Sequence, residues 1–306
     1  MPVERRTITD REEWLQWRRE DVTASAIGAL FHCHPYSTAM RVYAEKRGTE
    51  FVEEDNKVTR RGRWLEPAVA KAVEEMRPEW TLIPAREYLR DPQLRIGASP
   101  DFYIEGDARG RGVLQAKSVA QSVYKRDWDD GAEVPLWIIL QAQTEAMMAD
   151  AAFSAIAALL VDAYNMDVCI HELPRHAAAE EKIRKTVAQF WDDVAHGREP
   201  DPDFSRDADV IRAMWRSERG EDAAIDLSGD NRMAELLADR TELRERMAAL
   251  KEQCETIDAE IKYRMKDAAI ATGLPGWGLT YRTSHYKGYT VAARDTRVLR
   301  VQDRRA

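Results

Sequence analysis

The chain has 306 residues, 44% of them hydrophobic, enough for one large domain with an appendage or for two domains. A net charge of −8 argues against a uniformly basic nucleic-acid binder, and no apolar run approaches the length of a membrane span. Cys33, Cys169 and Cys254 are far apart, odd in number and without a CxxC pair, which excludes a disulfide framework and leaves a soluble, cytoplasmic protein with reduced thiols as the expectation.

Taken in chain order, Thr9-Asp10-Arg11-Glu12 reads as a capping box that opens a helix through Trp14, Trp17 and Arg18. Thr23-Ala24-Ser25 opens a second capped helix running to Leu30, and residues 36–48 form a third. An acidic loop follows, then a helix over Gly62–Met76 with Leu65, Val69 and Val73 on one face. Residues 80–117 change character: short runs at 80–83, 87–89, 96–99, 102–104 and 112–117 read as strands separated by turn formers. An Ala-rich helix over 136–162, a last strand at 168–173 and a helix over 176–197 ending near Gly197 complete an α/β (α+β) domain, a mixed sheet flanked by helices, over residues 1–200.

Residues 201–230 read as a charged linker. Over 231–272 a coiled-coil-like helix places Leu236, Leu243, Met247, Leu250, Cys254, Ile257 and Ile261 on one stripe, interrupted by Arg240. Residues 273–306 form a basic tail with a β-hairpin expected from Tyr281 to Val301. The tail holds seven Lys/Arg against two Asp/Glu, a net of +5 that leaves −13 on the rest, so any phosphate-binding surface must be local. It interleaves Tyr281, Tyr286 and Tyr289 with Arg282, Lys287, Arg294, Arg297 and Arg300, which suits stacking and phosphate pairing as well as it suits an ordinary solvated face.

Cutting a phosphodiester requires a cation to stabilise developing charge and a polarised water. Mg²⁺ takes oxygen ligands and keeps several waters. Pro100-Asp101 closes one expected strand. On the next, Gln115 and Lys117 are two residues apart and share a face, while Ala116 points away but leaves its carbonyl available to a metal. This is a PD-x(n)-(D/E)-x-K arrangement. Alone it is short, and a turn aspartate with a solvated strand lysine has the same spelling.

Its companions are more specific. Trp14-x3-Arg18 with Val22-Thr23-Ala24-Ser25, Gly62-x3-Glu66, Ser99-Pro100-Asp101, Gln115-Ala116-Lys117 and Gln141-Ala142-Gln143 follow one another in an order that resembles the YqaJ-like viral recombinase family and its relative, the phage lambda exonuclease, over about residues 10–195. The resemblance implies a restriction-endonuclease-like core. It implies that Arg18 and Ser25 hold a DNA phosphate, to which Thr23 near a helix start would add its hydroxyl, that Asp101, Gln115, Ala116 and Glu66 hold Mg²⁺ or Mn²⁺, that Lys117 activates water, and that Gln141 and Gln143 face the site. It further implies digestion of double-stranded DNA ends, 5′-to-3′, leaving 3′ single-stranded tails. The setting implied is the cytoplasm of a bacterium hosting a phage or prophage, with a single-strand annealing protein as partner and homo-oligomers, rings among them. Two alternatives keep the fold: a recombination scaffold that binds DNA ends without cutting, and an endonuclease or junction resolvase.

One residue departs from the pattern. Gln115 stands where the family usually has a carboxylate. A natural active variant, a deliberate catalytic substitution and a lineage that does not cut are the competing explanations.

Overall fold

The computed structural model describes residues 3–51, 57–162, 165–218, 220, 223–285 and 288. It separates into two units, Met1–Trp215 and Arg216–Ala306.

The first unit opens with strand β1 (Glu4–Thr7) and helix α1 (Arg11–Glu20). The cap is Asp10 rather than Thr9: its carboxylate accepts from the Glu13 backbone N–H at 2.9 Å. Strand β2 (Val22–Thr23) passes through a single 3-10 turn into the short α2 (Ile27–Leu30), and Thr23 makes no capping bond. Helix α3 (Ala39–Lys46) is capped by Thr38, and α4 (Lys57–Met76) starts five residues before the expected Gly62. The β block is as expected: β3 (Thr81–Pro84), β4 (Glu87–Asp91), β5 (Ile96–Ala98), β6 (Phe102–Glu105) and β7 (Gly112–Ala120).

The expected helix over 136–162 is two elements. After α5 (Gln121–Asp127), α6 (Leu136–Ala149) stops at Asp150, which adopts the left-handed conformation, and β8 (Phe153–Val161) follows. Strand β9 (Met166–Pro174), α7 (Ala177–His196) and α8 (Ala208–Met214) complete the unit. The linker expected from residue 201 is anchored instead. Arg206 donates to the carbonyls of His34 (2.7 Å) and Ser37 (3.1 Å), Thr38 donates to the buried Asp207, and Val210 is in the core.

The principal sheet runs β3-β6-β7-β8-β9. Its β7–β8 pair is parallel and the rest antiparallel. A parallel pair needs a crossover, which α5 and α6 supply. The side chains of β8 divide by period two. Phe153, Ala155, Ala157 and Leu159 pack under α4 with Val69 and Val73; Ile156, Ala158 and Leu160 pack under α6 with Ile138 and Ala142. The sheet is thus covered on both faces, and β7 lies at its centre between a helix on each side. A smaller sheet, β1-β4-β5-β2, packs with α2, α3 and α7 around Ile27, Met40, Tyr43, Leu89, Ile96 and Ile183. This is the mixed, helix-flanked sheet expected from the sequence.

In the second unit, helix α9 (Asn231–Met265) is capped by Asp230, whose side chain accepts from Met233 N at 3.0 Å. A two-residue ladder follows, β10 (Ile270–Ala271) with β11 (Leu279–Thr280). Residues 281–285 carry no strand, and most of the hairpin expected at 281–301 (residues 286–287 and 289–301) lies outside the described residues.

Candidate active site

Asp101 immediately precedes β6, where Phe102 pairs with Leu114 of β7; one step further along the ladder, Asp101 meets Gln115. The Asp101 Oδ2 accepts from the Ala116 backbone N–H at 2.8 Å and from Gln115 Nε2. Strand alternation turns Ala116 and Ser118 toward α4 and Gln115 and Lys117 toward α6. Both helices contribute. From α4, Gly62, Glu66 and Val69 line a cavity of about 190 Å³ with Asp101 and residues 115–118 of β7. From α6, Gln141 reaches the strand: its Oε1 accepts from Lys117 Nζ at 3.0 Å, and its Nε2 donates to Gln115 Oε1 at 2.7 Å and Glu145 Oε1 at 2.9 Å.

The direction of this relay is forced at its ends. An ammonium only donates, so the Gln141 oxygen belongs to Lys117 and its NH₂ to the oxygens of Glu145 and Gln115. Gln115 must then turn its oxygen to Gln141 and its NH₂ to Asp101. One lone pair of the Gln115 oxygen is thus taken by Gln141, which leaves a single lone pair for the expected cation.

Burial dominates the electrostatics. It pushes the Asp101 carboxyl up to about 7, Lys117 and the Ala116 N–H pulling it back and Glu66 pushing further. Burial likewise raises Glu66, and raises Glu145 to about 8 with help from the Asp101 charge. It lowers Lys117 from the ordinary lysine range, against the pull of Asp101 and Glu145. Carboxylates pushed up beside a lysine pushed down mark charge gathered where water is scarce. Two carboxyls, Asp101 and Glu66, on one small polar cavity are a donor set that suits a hard divalent cation, which needs one or two protein carboxylates and keeps its waters. Among the described residues no group of three or more His, Cys, Asp or Glu gathers into a denser metal site.

A second polar cluster is tied to the same loop. Arg18 lies over the Trp14 ring at 4.6 Å and donates to Ser25 Oγ at 3.2 Å, and Ser25 shares a 3.1 Å bond with Thr23 Oγ1. Trp14 Nε1 donates to Ser99 Oγ at 3.1 Å, two residues before Asp101. The Arg18 charge also lowers Glu145, so the two clusters share one electrostatic environment.

The matched segment spans all of these elements: residues 13–152 fit the description of the YqaJ-like viral recombinase domain. Over these residues, somewhat under half of the chain, the sequence is similar to that domain. YqaJ of Bacillus subtilis (strain 168), described as an uncharacterized protein, is 27% identical over 263 residues, 84% of this chain and 79% of that one. Among solved structures, LHK-Exo in complex with dAMP aligns at 20% identity and a TM-score of 0.50, over 66% of this chain and 99% of that one. The alkaline exonuclease LHK-Exo from Laribacter hongkongensis aligns at 20% and 0.49, over 66% and 100%. At 20% identity the first of these likenesses is one of fold.

The fold does not bring every expected residue together. Asp101, Gln115, Ala116, Lys117 and Glu66 line one cavity, Gln141 stands behind it, and Arg18, Thr23 and Ser25 form their own cluster. Gln143 is elsewhere. Its Nε2 donates to Pro174 O at 2.9 Å and its Oε1 accepts from His176 N at 3.1 Å, which fixes the β9–α7 junction. Residues two apart on a helix lie about 200° apart around the axis, so Gln141 and Gln143 cannot share a face. Sequence reading missed Glu145, which is 1% exposed and has one oxygen without a hydrogen-bond partner. Its signal was available: four residues after Gln141, it stacks on the same face. It also missed the wall beside Lys117, where Trp137 lies 5.5 Å under the Nζ and 4.7 Å from the His34 ring. Gly28 admits that indole, since a Cβ there would stand 2.6 Å from Trp137 Cβ.

Proposed function

We propose that this chain is a divalent-metal-dependent exonuclease that hydrolyses double-stranded DNA from its ends, 5′-to-3′, leaving 3′ single-stranded tails. The observation that carries the reading is the pairing of Asp101 and Glu66 on one cavity with Lys117 at its wall, all three shifted by burial. Asp101, Glu66 and Ala116 are the residues that would hold Mg²⁺ or Mn²⁺, and the cation would supply charge stabilisation at the scissile phosphate. The chain's own residues do the rest. Lys117 Nζ, depressed by burial and held by Gln141, takes a proton from a water in the cavity. Arg18, Thr23 and Ser25 offer a guanidinium fork and two hydroxyls to a terminal phosphate, and Trp14 fixes their position relative to Asp101 through Ser99. Trp137 and His34 shield the Lys117 side from solvent.

The catalytic domain in this reading is residues 1–200 together with the anchored segment to Trp215, and the basic tail beyond 273 adds phosphate contacts. The setting is the cytoplasm of a phage- or prophage-bearing bacterium, with a single-strand annealing protein taking up the product tails. The test is digestion of 5′-labelled linear duplex in Mg²⁺ or Mn²⁺, with covalently closed circles alongside. Release of 5′ mononucleotides from linear DNA alone is expected. Cutting of circles would move the reading to an endonuclease or resolvase. A chain that binds ends without cutting is favoured by one observation, the Gln115 NH₂ turned onto Asp101; absence of digestion with both ions, together with DNA binding unchanged by chelator, would establish it.

A further inference from the structure

Helix α9 presents a large apolar stripe to solvent: Leu243, Met247, Leu250 and Ile257 are 55–67% exposed, and Cys254 is exposed between them. Single exposed apolar side chains are ordinary, but a continuous stripe on a 35-residue helix marks an interface. The spacing specifies its kind. Leu236, Leu243, Leu250 and Ile257 recur every seven residues, and Met233, Arg240, Met247, Cys254 and Ile261 recur every seven, three or four residues away from them. These are the two core positions of a two-stranded coiled coil.

The flanking charges decide which way the second strand runs. In a parallel, in-register pair, Arg240 would face its own copy inside the core and Arg246 would face Lys251 of the other helix. Antiparallel, about a two-fold axis near Glu252, six apolar layers form without interruption: Leu243 opposite Ile261, Met247 opposite Ile257 and Leu250 opposite Cys254, each pairing occurring twice. Arg240 then lies beyond the last layer, at the end of the seam opposite Arg264 of the other copy, which Glu260 of its own helix binds at 2.9 Å. On one flank Arg246 meets Glu260 of the other copy, and on the other flank Arg244 meets Asp258, again twice each. Lys251 approaches its own copy at the axis, where Glu255 of its own helix, 3.7 Å away, balances it. Six unbroken layers and four opposite-charge flank pairs outweigh the Lys251 and end-of-seam arginine approaches in this register, whereas the parallel one gains only its Asp239–Arg244 pairs against a core Arg240 pair and its Arg246–Lys251 pairs; the antiparallel arrangement is also self-complementary, as a two-fold interface requires.

We propose that α9 pairs with α9 of a second copy of this chain as an antiparallel coiled coil centred near Glu252, with Leu243, Met247, Leu250, Cys254, Ile257 and Ile261 as its core. The pairing spans about 27 Å at 1.5 Å per residue.

The full-length chain is the material for the test. Oxidation of a Leu250→Cys variant should trap covalent dimers through Cys254 of the other copy, lost again on Cys254→Ser. The unaltered chain should not cross-link at Cys254, because its two copies lie four residues apart along the axis and a disulfide needs Cα atoms within about 7 Å. Efficient Cys254–Cys254 dimers in the unaltered chain would show a parallel pair and overturn the proposal. In light scattering, Arg244→Glu should lower the dimer fraction at least tenfold in association constant, and Asp258→Arg on the same chain should restore it. Failure of that restoration, or a mass unaffected by Leu250→Glu while the first unit melts normally, would equally overturn it.

Discussion

Replacing Gln115 by glutamate removes one donor from Asp101 and sets a second carboxylate against it in a place only 5% exposed. Two full charges at roughly 3 Å repel by about 5 kcal/mol at an effective dielectric near 20. Side-chain movement or uptake of one proton relieves part of that, leaving a destabilisation of about 2–4 kcal/mol in the metal-free protein. At about 2–4 °C per kcal/mol for a unit of this size, the melting temperature in chelator should fall by about 5–15 °C. Gln141 still donates to the new carboxylate, so Lys117 keeps its partner. A divalent cation between residues 101 and 115 would turn the repulsion into ligation. Mn²⁺ should therefore bind the variant at least about tenfold more tightly, a gain of about 1.4 kcal/mol, and restore the lost melting temperature. Calorimetric Mn²⁺ titration beside thermal melts with and without the ion measures both. If the variant melts like the original in chelator and binds Mn²⁺ no more tightly, the Asp101–Gln115 contact does not have the character assigned to it.

Two further substitutions separate the clusters. Arg18→Gln should weaken binding of 5′-phosphorylated ends by about 10–100-fold, since hydrogen bonds to a charged group contribute about 1.5–3 kcal/mol, with little change for dephosphorylated ends; equal losses on both substrates would remove Arg18 from the phosphate site. Gln143→Ala leaves Pro174 O and His176 N without their partner. It should destabilise the fold by about 1–3 kcal/mol while turnover per folded molecule stays unchanged. A loss of turnover without a loss of stability would return Gln143 to the active site.

What the sequence revealed and what it hid follow from burial. Asp101, Gln115 and Lys117 were legible because a two-residue strand period and one turn fix their relation with no long-range information. Strand β8 was not, because helices cover both its faces: with Phe153 to Leu160 all buried and Ser154 the single polar residue among them, no repeating polar position marks the alternation, and an Ala-rich apolar run reads equally well as helix. The error had a consequence at the site. A helix imagined through residue 162 has no defined partner strand, and the inward face of α6 cannot be assigned until β8 stops it at Asp150. With that face set by Ile138 and Ala142 against the sheet, Gln141 comes over β7 and Gln143 turns away. Glu145 was passed over for the opposite reason. A lone glutamate on a helix is ordinarily solvated. Here it is buried, and it holds the Gln141 NH₂ that in turn sets the direction of Gln115. The residue that departs from the family pattern is therefore one link in a chain of amides whose polarity is imposed by Lys117 at one end and Glu145 at the other. Its chemistry follows from those two neighbours rather than from its own side chain alone.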